Sequence, residues 1–489
     1  MRNKKDAIIT AVIFVTGIFL LAWNIGHESF WADEAFTGVM IRHSFADIYE
    51  FCKMEMHSAF YYWMLKIFSL IFGSGEISLR VFSLLGTLAL AGLGPTAIKR
   101  LFNPIAGWMF SAAVFLAPGL VAYSQEARMY TWGAFFTTAM ALYAFLAQRE
   151  GKRRDMILFG VFLFCAMYTH LLGMVSSFFF NAIFLSVLLF KKNYSFIKKY
   201  LITAGIVAVL FLPRLYYVIE QAKIVKKNFW IGPVTKMKII QSIQFVFGLK
   251  FDYDKLTTVI SIIVILSVLI TLIYLIIKKD KNSGLLLTLL SSYVAAFLFL
   301  IFYSYAISPI LEPRYTLIFA PWLIAVFACG LYRFHKIAGI AVITLYCILS
   351  FSVNLNTYNK RYNGYMKEAV EDIKNRIKPD HVFVHVGEHT LGAFTYYFPE
   401  HKHYFLINKR SKVYWYLEIF KKYGGYGPEL KDLIGDAKNI WIADRMWGFN
   451  TGVFDKQFYK LGTPDYSATY MQEPKHSWFT PFVKYYKID

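Results

Sequence analysis

The chain has 489 residues, 57% of them hydrophobic and 19% aromatic, with a formal net charge of +21. That apolar share exceeds the roughly 45–50% of soluble domains. It falls in long runs split by short charged loops, which excludes an ordinary soluble fold and leaves membrane-spanning helices, because a backbone in hydrocarbon must satisfy its own polar groups. The Lys and Arg residues gather at the ends of apolar runs, the positive-inside pattern, and no aromatic-interleaved basic stripe is present, so nucleic acid is not an expected partner.

Arg2, Lys4 and Lys5 precede an apolar run from Ala7 to Trp23. The run has no small-residue cleavage site and many spans follow it, so it reads as a retained first helix rather than a signal peptide. Candidate spans lie at roughly 7–24, 77–98, 104–122, 129–148, 155–170, 172–190, 199–218, 256–277, 284–306, 315–332 and 337–354. That makes about eleven transmembrane helices, most with the roughly 20 residues a crossing needs. With the N-terminus in the cytoplasm, the inner loops carry Lys99–Arg100, Arg149 with Lys152–Arg154, Lys191–Lys192 with Lys198–Lys199, Lys278–Lys279 with Lys281, and Arg333 with Lys336. The short outer connections carry only Arg128 and Arg314, and this asymmetry sets the orientation. The four cysteines (Cys52, Cys165, Cys329 and Cys347) show neither disulfide nor metal spacing.

Ser58–Phe72 is apolar but has only 15 residues and contains Lys66. A crossing here would also move every later basic loop outside. The segment is therefore expected to lie flat on the outer membrane surface as an amphipathic helix. Three regions then face outward: a first loop of about 25–76, a loop of about 219–255, and everything after about 355. The expected organisation is a polytopic α-helical transmembrane domain over 1–355 and a small extracytoplasmic α/β domain over 356–489. In the latter, 20 Lys and Arg face 15 Asp and Glu and there is no apolar run of spanning length. His381–Val386, Tyr404–Ile407 and Asn439–Ala443 read as strands, Lys367–Ile377 and Leu391–Phe398 as helices, and 423–428 (YGGYGP) as a turn.

Charge near hydrocarbon is costly, so ionisable residues at helix ends are functional candidates. Trp31-Ala-Asp33-Glu34 follows the first span. Two readings stand there: one carboxylate is a general base whose pKa is raised in a partly dry site, or the pair is a helix N-cap and its first-turn acid. His57 opens the surface helix and either positions a substrate oxygen or phosphate, or caps that helix. Tyr123–Tyr130 (YSQEARMY) brings Glu126 and Arg128 to an outer corner, as a structural pair or, for Arg128, in a role that sets it against the charge bias of its side. Thr169–His170 makes a further outer corner, where a packed histidine suffices. In Leu311-Glu312-Pro313-Arg314-Tyr315, Pro313 suits the start of a helix. An Arg at such an end makes an anion site that binds phosphate bidentately; the plainer role is contact with lipid headgroups. Carboxylates, a histidine and two arginines on one side of the membrane suit a lipid-linked anionic substrate, whereas a transporter would concentrate charge near mid-span.

These segments carry a family resemblance. ESFWADEAFT, MHSAFYYWMLKIFSLIFGSGEISLRVFSLL, YSQEARMY, YTH and EPRYTLIFAPW, in this order over residues 28–330, resemble the lipid-dependent GT-C glycosyltransferases of the protein O-mannosyltransferase and aminoarabinose-transferase type, including the RgtA/B/C/D-like bacterial members. His57-Ser58-Ala59 departs from the His-Pro-Pro usual in the family, which alters the turn into the surface helix. The resemblance implies an inverting transfer of a sugar from a polyprenyl-phosphate donor to a cell-envelope acceptor (lipid, polysaccharide or protein) at the outer face of the cytoplasmic membrane. Asp33 would be the base and Glu34 its partner acid. Arg314 and Tyr315, with Arg128, would hold the donor phosphate; His57, Glu126, His170 and Glu312 would position substrate. Some relatives use a divalent metal; the carboxylates here form no complete ligand set, and no cofactor is assigned. The rival readings are a flippase for lipid-linked sugars and an O-antigen ligase or polymerase.

Overall fold

A computed structural model describes residues 2–54, 57–228, 231–248, 255–278, 283–359, 366–407, 415–445, 457–458, 460–470 and 481–488. After α1 (Arg2–Ala22) come three shorter helices, α2 (Ala32–Met40), α3 (Phe45–Met54) and α4 (Ala59–Phe72). α5 (Glu76–Gly92) continues through a π-helical turn, Gly94–Ile98, into α6 (Lys99–Leu101). Next are α7 (Pro104–Leu116), α8 (Pro118–Ser124), α9 (Tyr130–Glu150), α10 (Arg153–Thr169), α11 (Leu171–Phe190), α12 (Tyr194–Asn228) and α13 (Lys236–Gln244). α14 (Lys255–Lys278) and α15 (Ser283–Ala306) lead to a 3-10 turn, Pro313–Ile318, then α16 (Ala320–Phe334) and α17 (Lys336–Asn359). The C-terminal region adds α18 (Met366–Lys374), β1 (Val382–His385), α19 (Glu388–Tyr397), β2 (Lys402–Leu406), β3 (Tyr426–Gly427), α20 (Leu430–Ile434), β4 (Asn439–Arg445), β5 (Tyr466–Thr469) and β6 (Pro481–Lys487).

Every expected span falls on helix. Among the described residues seven helices are each long and apolar enough to cross a membrane. The α7–α8 pair, bent by 63°, meets the same criterion as one broken span. The bend has a plain cause: Pro118 cannot donate to the turn before it, and Ala117 takes an extended conformation. The expected span at 315–332 is likewise broken into the 3-10 turn and α16. The protein is a polytopic membrane protein.

The chain forms two compact units. The first holds residues 1–23, 56–61 and 80–359. Its helices approach closely through small residues, as helices in lipid do: a Cβ on Gly94 would stand 2.4 Å from the Gly107 carbonyl oxygen. Apolar side chains such as Val15, Ile206, Leu266 and Ile277 point outward, the faces a bilayer solvates. Several of its charges are paired. Arg100 forks onto Asp155 (2.5 and 3.0 Å) and Glu150 (2.8 and 3.2 Å), tying α6 to the α9–α10 corner.

The second unit holds residues 24–55, 62–79 and 360–489. Its sheet has the order β3-β2-β1-β4-β6-β5, with β3, β2, β1 and β4 parallel, β6 antiparallel to β4, and β5 antiparallel to β6. The buried strands β1 and β4 read as continuous apolar runs, as parallel strands covered on both faces do. The three expected strands and both expected helices are present within one to three residues at most ends. β5 and β6 lacked a clear apolar signal, and the 423–428 turn also supplies the two-residue β3.

α2 packs against α19 in this unit. Gly38 lies under the Tyr396 ring, where an added Cβ would sit 2.6 Å from ring carbon, and Gly392 faces Ala35. Arg42 donates to the carbonyls of Thr395 and Tyr396 (3.3 and 2.9 Å) at the end of α19. At the end of α2, Lys66 from α4 donates to the Ile41 carbonyl at 2.9 Å and Lys422 to the Arg42 carbonyl at 3.3 Å. Cations at helix C-termini satisfy orphan carbonyls and the helix dipole together. This explains the lysine inside the short apolar helix α4, whose Ile67, Leu70, Ile71 and Phe72 are exposed.

Candidate anion site and loop carboxylates

Asp33 and Glu34 occupy the first turn of α2, after an extended Trp31 at the N-cap. Acids there are favoured by the exposed amides and the helix dipole. Glu34 is fully buried and Asp33 is half-buried. The Asp33 carbonyl accepts from the Thr37 hydroxyl at 2.9 Å. The approach to this turn is fixed by a residue that sequence reasoning did not single out. Glu76 accepts from the Phe30 amide at 3.3 Å and from the Tyr397 hydroxyl, and it pairs with Lys367 at 3.2 Å. The N-cap reading is thereby corrected: Trp31 takes that place without a side-chain cap, and both carboxylates follow in the first turn.

The remaining candidates lie in the first unit. Arg128 and Glu126, both nearly inaccessible, share a tight turn in which the Arg128 amide donates to the Glu126 carbonyl at 2.7 Å. The Arg128 guanidinium reaches His57 Nε2 at 2.8 Å. Arginine only donates, so His57 accepts there as the neutral Nδ1–H tautomer. Arg214 of α12 approaches the His57 carbonyl at 3.5 Å. Arg214 is not among the residues the sequence pointed to, although an Arg inside the expected span 199–218 is itself a signal. It follows Pro213, which breaks the backbone ladder of α12. Near the break the Tyr168 hydroxyl donates to the Leu210 carbonyl at 2.7 Å.

His170, the last residue of the expected 155–170 span, stands instead in the extended corner between α10 and α11, outside both helices, and its Nδ1 accepts from the Leu172 amide at 3.0 Å. Its imidazole packs against Tyr130 (5.8 Å between centroids) and Tyr315 (5.3 Å), and the two tyrosines stack at 6.2 Å. Burial lowers its pKa to about 3, helped by the positive charge of Arg128 and Arg314. His170 is thus neutral and faces positive charge from two separate turns. Arg314 lies in the 3-10 turn beside Tyr315, its guanidinium 5.9 Å from that ring; Pro313 starts the turn as expected. Glu312 pairs with Lys238 of α13 at 3.6 Å. The structure thus gathers His57, Arg128, His170, Arg314 and Tyr315 around one corner, with Glu126 in the same turn as Arg128. A cluster of arginines and neutral histidine donors in a partly dry corner suits a phosphate. Among the described residues no three His, Cys, Asp or Glu side chains stand together to hold a metal ion, so no step below runs through one.

No family model and no curated protein matches this sequence. Solved structures do. ArnT from Cupriavidus metallidurans in the apo state is similar over 99% of this chain and 98% of its own, with a TM-score of 0.66 and 12% sequence identity. The chain shares the ArnT fold. ArnT from the same organism bound to undecaprenyl phosphate is similar over 98% of this chain and 97% of its own, with a TM-score of 0.63 and 12% identity. Few residues are shared, so the likeness is one of fold rather than of sequence.

Proposed function

We propose that the protein is an inverting glycosyltransferase that moves a sugar from a polyprenyl-phosphate donor to a cell-envelope acceptor. The observation that carries this reading is the convergence of Arg128, Arg314 and His57 on His170. It is supported by the likeness to an ArnT structure described as bound to undecaprenyl phosphate. Arg314 and Arg128 hold the donor phosphate, Tyr315 and His170 line it, and His57, Glu126 and Glu312 position the surrounding groups. Asp33 takes the proton from the acceptor hydroxyl, with Glu34 as its partner acid. The acceptor oxygen bonds to the anomeric carbon with inversion, and the carbon–oxygen bond to phosphate breaks. Polyprenyl phosphate leaves as a stabilised anion, so one base and one anion site suffice. The N-terminus lies in the cytoplasm by the charge of the loops, and residues 25–76 and 356–489 face outward as the acceptor side.

The test uses proteoliposomes carrying a polyprenyl-phosphate sugar. Turnover should release free polyprenyl phosphate, which a flippase does not do. Asp33→Asn should lower turnover by roughly 10²–10⁴-fold, and Arg314→Gln should raise the donor concentration needed. Unchanged turnover in a folded Asp33→Asn protein removes Asp33 as the base.

A further inference from the structure

α13 belongs to the outer loop of residues 219–255, for which the reaction as proposed has no role. Its nine residues begin at an N-cap, Thr235, whose hydroxyl accepts from the Lys238 amide at 3.1 Å. Lys238 and Ser242 are four residues apart and so lie on one face of the helix. That face meets the Pro313–Ile318 turn at two points. Lys238 Nζ stands 3.6 Å from Glu312 Oε2, and the Thr316 hydroxyl donates to the Ser242 carbonyl at 3.1 Å. Ser242 and Thr316 are both about 1% exposed. Between the two contacts lie only Pro313, Arg314 and Tyr315.

The strap has a firm backing. A Cβ on Gly119 in α8 would stand 2.4 Å from the Phe245 carbonyl oxygen, so the end of α13 rests directly on α8. Tyr123 packs on Phe245 at 5.8 Å, and the same tyrosine meets Tyr130 edge-on at 4.9 Å. The clasp is thereby joined to the aromatic wall of the anion site.

The charge balance gives the clasp a second consequence. Glu312 is two residues from Arg314, and a carboxylate that close weakens the field of a guanidinium for any other anion. We propose that Lys238 is a positioning residue of the anion site: it claims Glu312, so that Arg314 serves the donor phosphate, while α13 pins the turn at both ends. This rests on the phosphate reading of the site given above. A clasp alone would need only the contact, whereas charge claiming needs a cation at 238 and matters only while Glu312 is ionised.

The experiment uses the full chain in nanodiscs, with undecaprenyl phosphate as the probe and hydrogen exchange of residues 313–319 as a donor-free readout. Lys238→Gln should weaken binding about tenfold and speed exchange in the turn, a shift of the size such couplings reach. Lys238→Arg should bind like the parent, and Glu312→Gln should bind more tightly. The Lys238→Gln/Glu312→Gln double variant should recover most of the lost affinity while its turn still exchanges faster. A double variant as weak as Lys238→Gln overturns the charge claim, and so does a Lys238→Arg variant as weak as Lys238→Gln. Faster exchange in Lys238→Gln with no measurable binding of undecaprenyl phosphate by the parent refutes the phosphate reading and upholds the clasp. Unchanged exchange and affinity in Lys238→Gln overturn the whole inference.

Discussion

Two histidines sit inside the C-terminal sheet where water does not reach. His385 on β1 and His403 on β2 are 0% and 1% exposed, and their rings meet at 3.0 Å between Nε2 and Nδ1. His403 donates from Nε2 to the Phe398 carbonyl at 2.8 Å, so its Nδ1 accepts from His385. Phe383 stacks on His403 at 4.9 Å. Burial holds the His403 pKa at about 3, and it lowers His385 too, helped by the charge a protonated His403 would carry. In the unfolded chain both return to about 6.5. The folded form then binds fewer protons than the unfolded one below pH 6.5. Stability is complete above that value and falls as the pH drops from 6.5 toward 3. At about pH 5 the loss from His403 alone is about 2 kcal/mol, near a 30-fold change in the opening equilibrium. His385 adds in the same direction. Hydrogen exchange of residues 382–406 in the full chain, corrected for intrinsic rates, measures it between about pH 7.5 and about pH 5. His403→Asn removes one titrating group, so its protection should fall less steeply with acid. Equal protection at both pH values, or a steeper fall in the variant, refutes the argument.

Three further outcomes follow from packing. Gly38→Ala places a methyl 2.6 Å from the Tyr396 ring and should destabilise the second unit by about 1–3 kcal/mol, read as a lower thermal midpoint; adding Tyr396→Ala should relieve it. Lys66→Met removes the cation at the Ile41 carbonyl, costs about 1 kcal/mol, and should speed amide exchange at the end of α2 while leaving α4 helical. Gly94→Leu drives a side chain into the Gly107 backbone, and the protein should fail to extract as a monodisperse species.

The helices were legible because lipid leaves a backbone few choices, and run length then sets their order. β1, β2 and β4 were legible as short apolar runs. β6 was not, since PFVKYYK sets two lysines among its apolar and aromatic residues and carries little apolar contrast. Arg128, Arg314, His57 and His170 were visible as polar groups near helix ends. What they meet was not: the Arg128–His57 contact joins residues 71 apart, and the Glu312–Lys238 pair bridges two separate connections. Lys66 was read as a mark against crossing, and the structure adds that it caps α2. Arg214 was overlooked because hydropathy averages hide one arginine among leucines and valines.

Charges embedded among apolar helices sort into two groups here. Most are matched locally. Arg100 divides itself between Asp155 and Glu150, Arg149 donates to the Leu101 carbonyl, and Lys99 meets Asp6. Such matching is what a costly environment demands, and it leaves little field to act on anything else. The His170 corner is built differently. Arg128 and Arg314 come to it from turns far apart in sequence, and burial first, then their positive charge, keeps the imidazole from taking a proton. A phosphate entering such a corner would meet two forked donors at once, which makes it, rather than the Arg100 cluster, the place where an anion gains most.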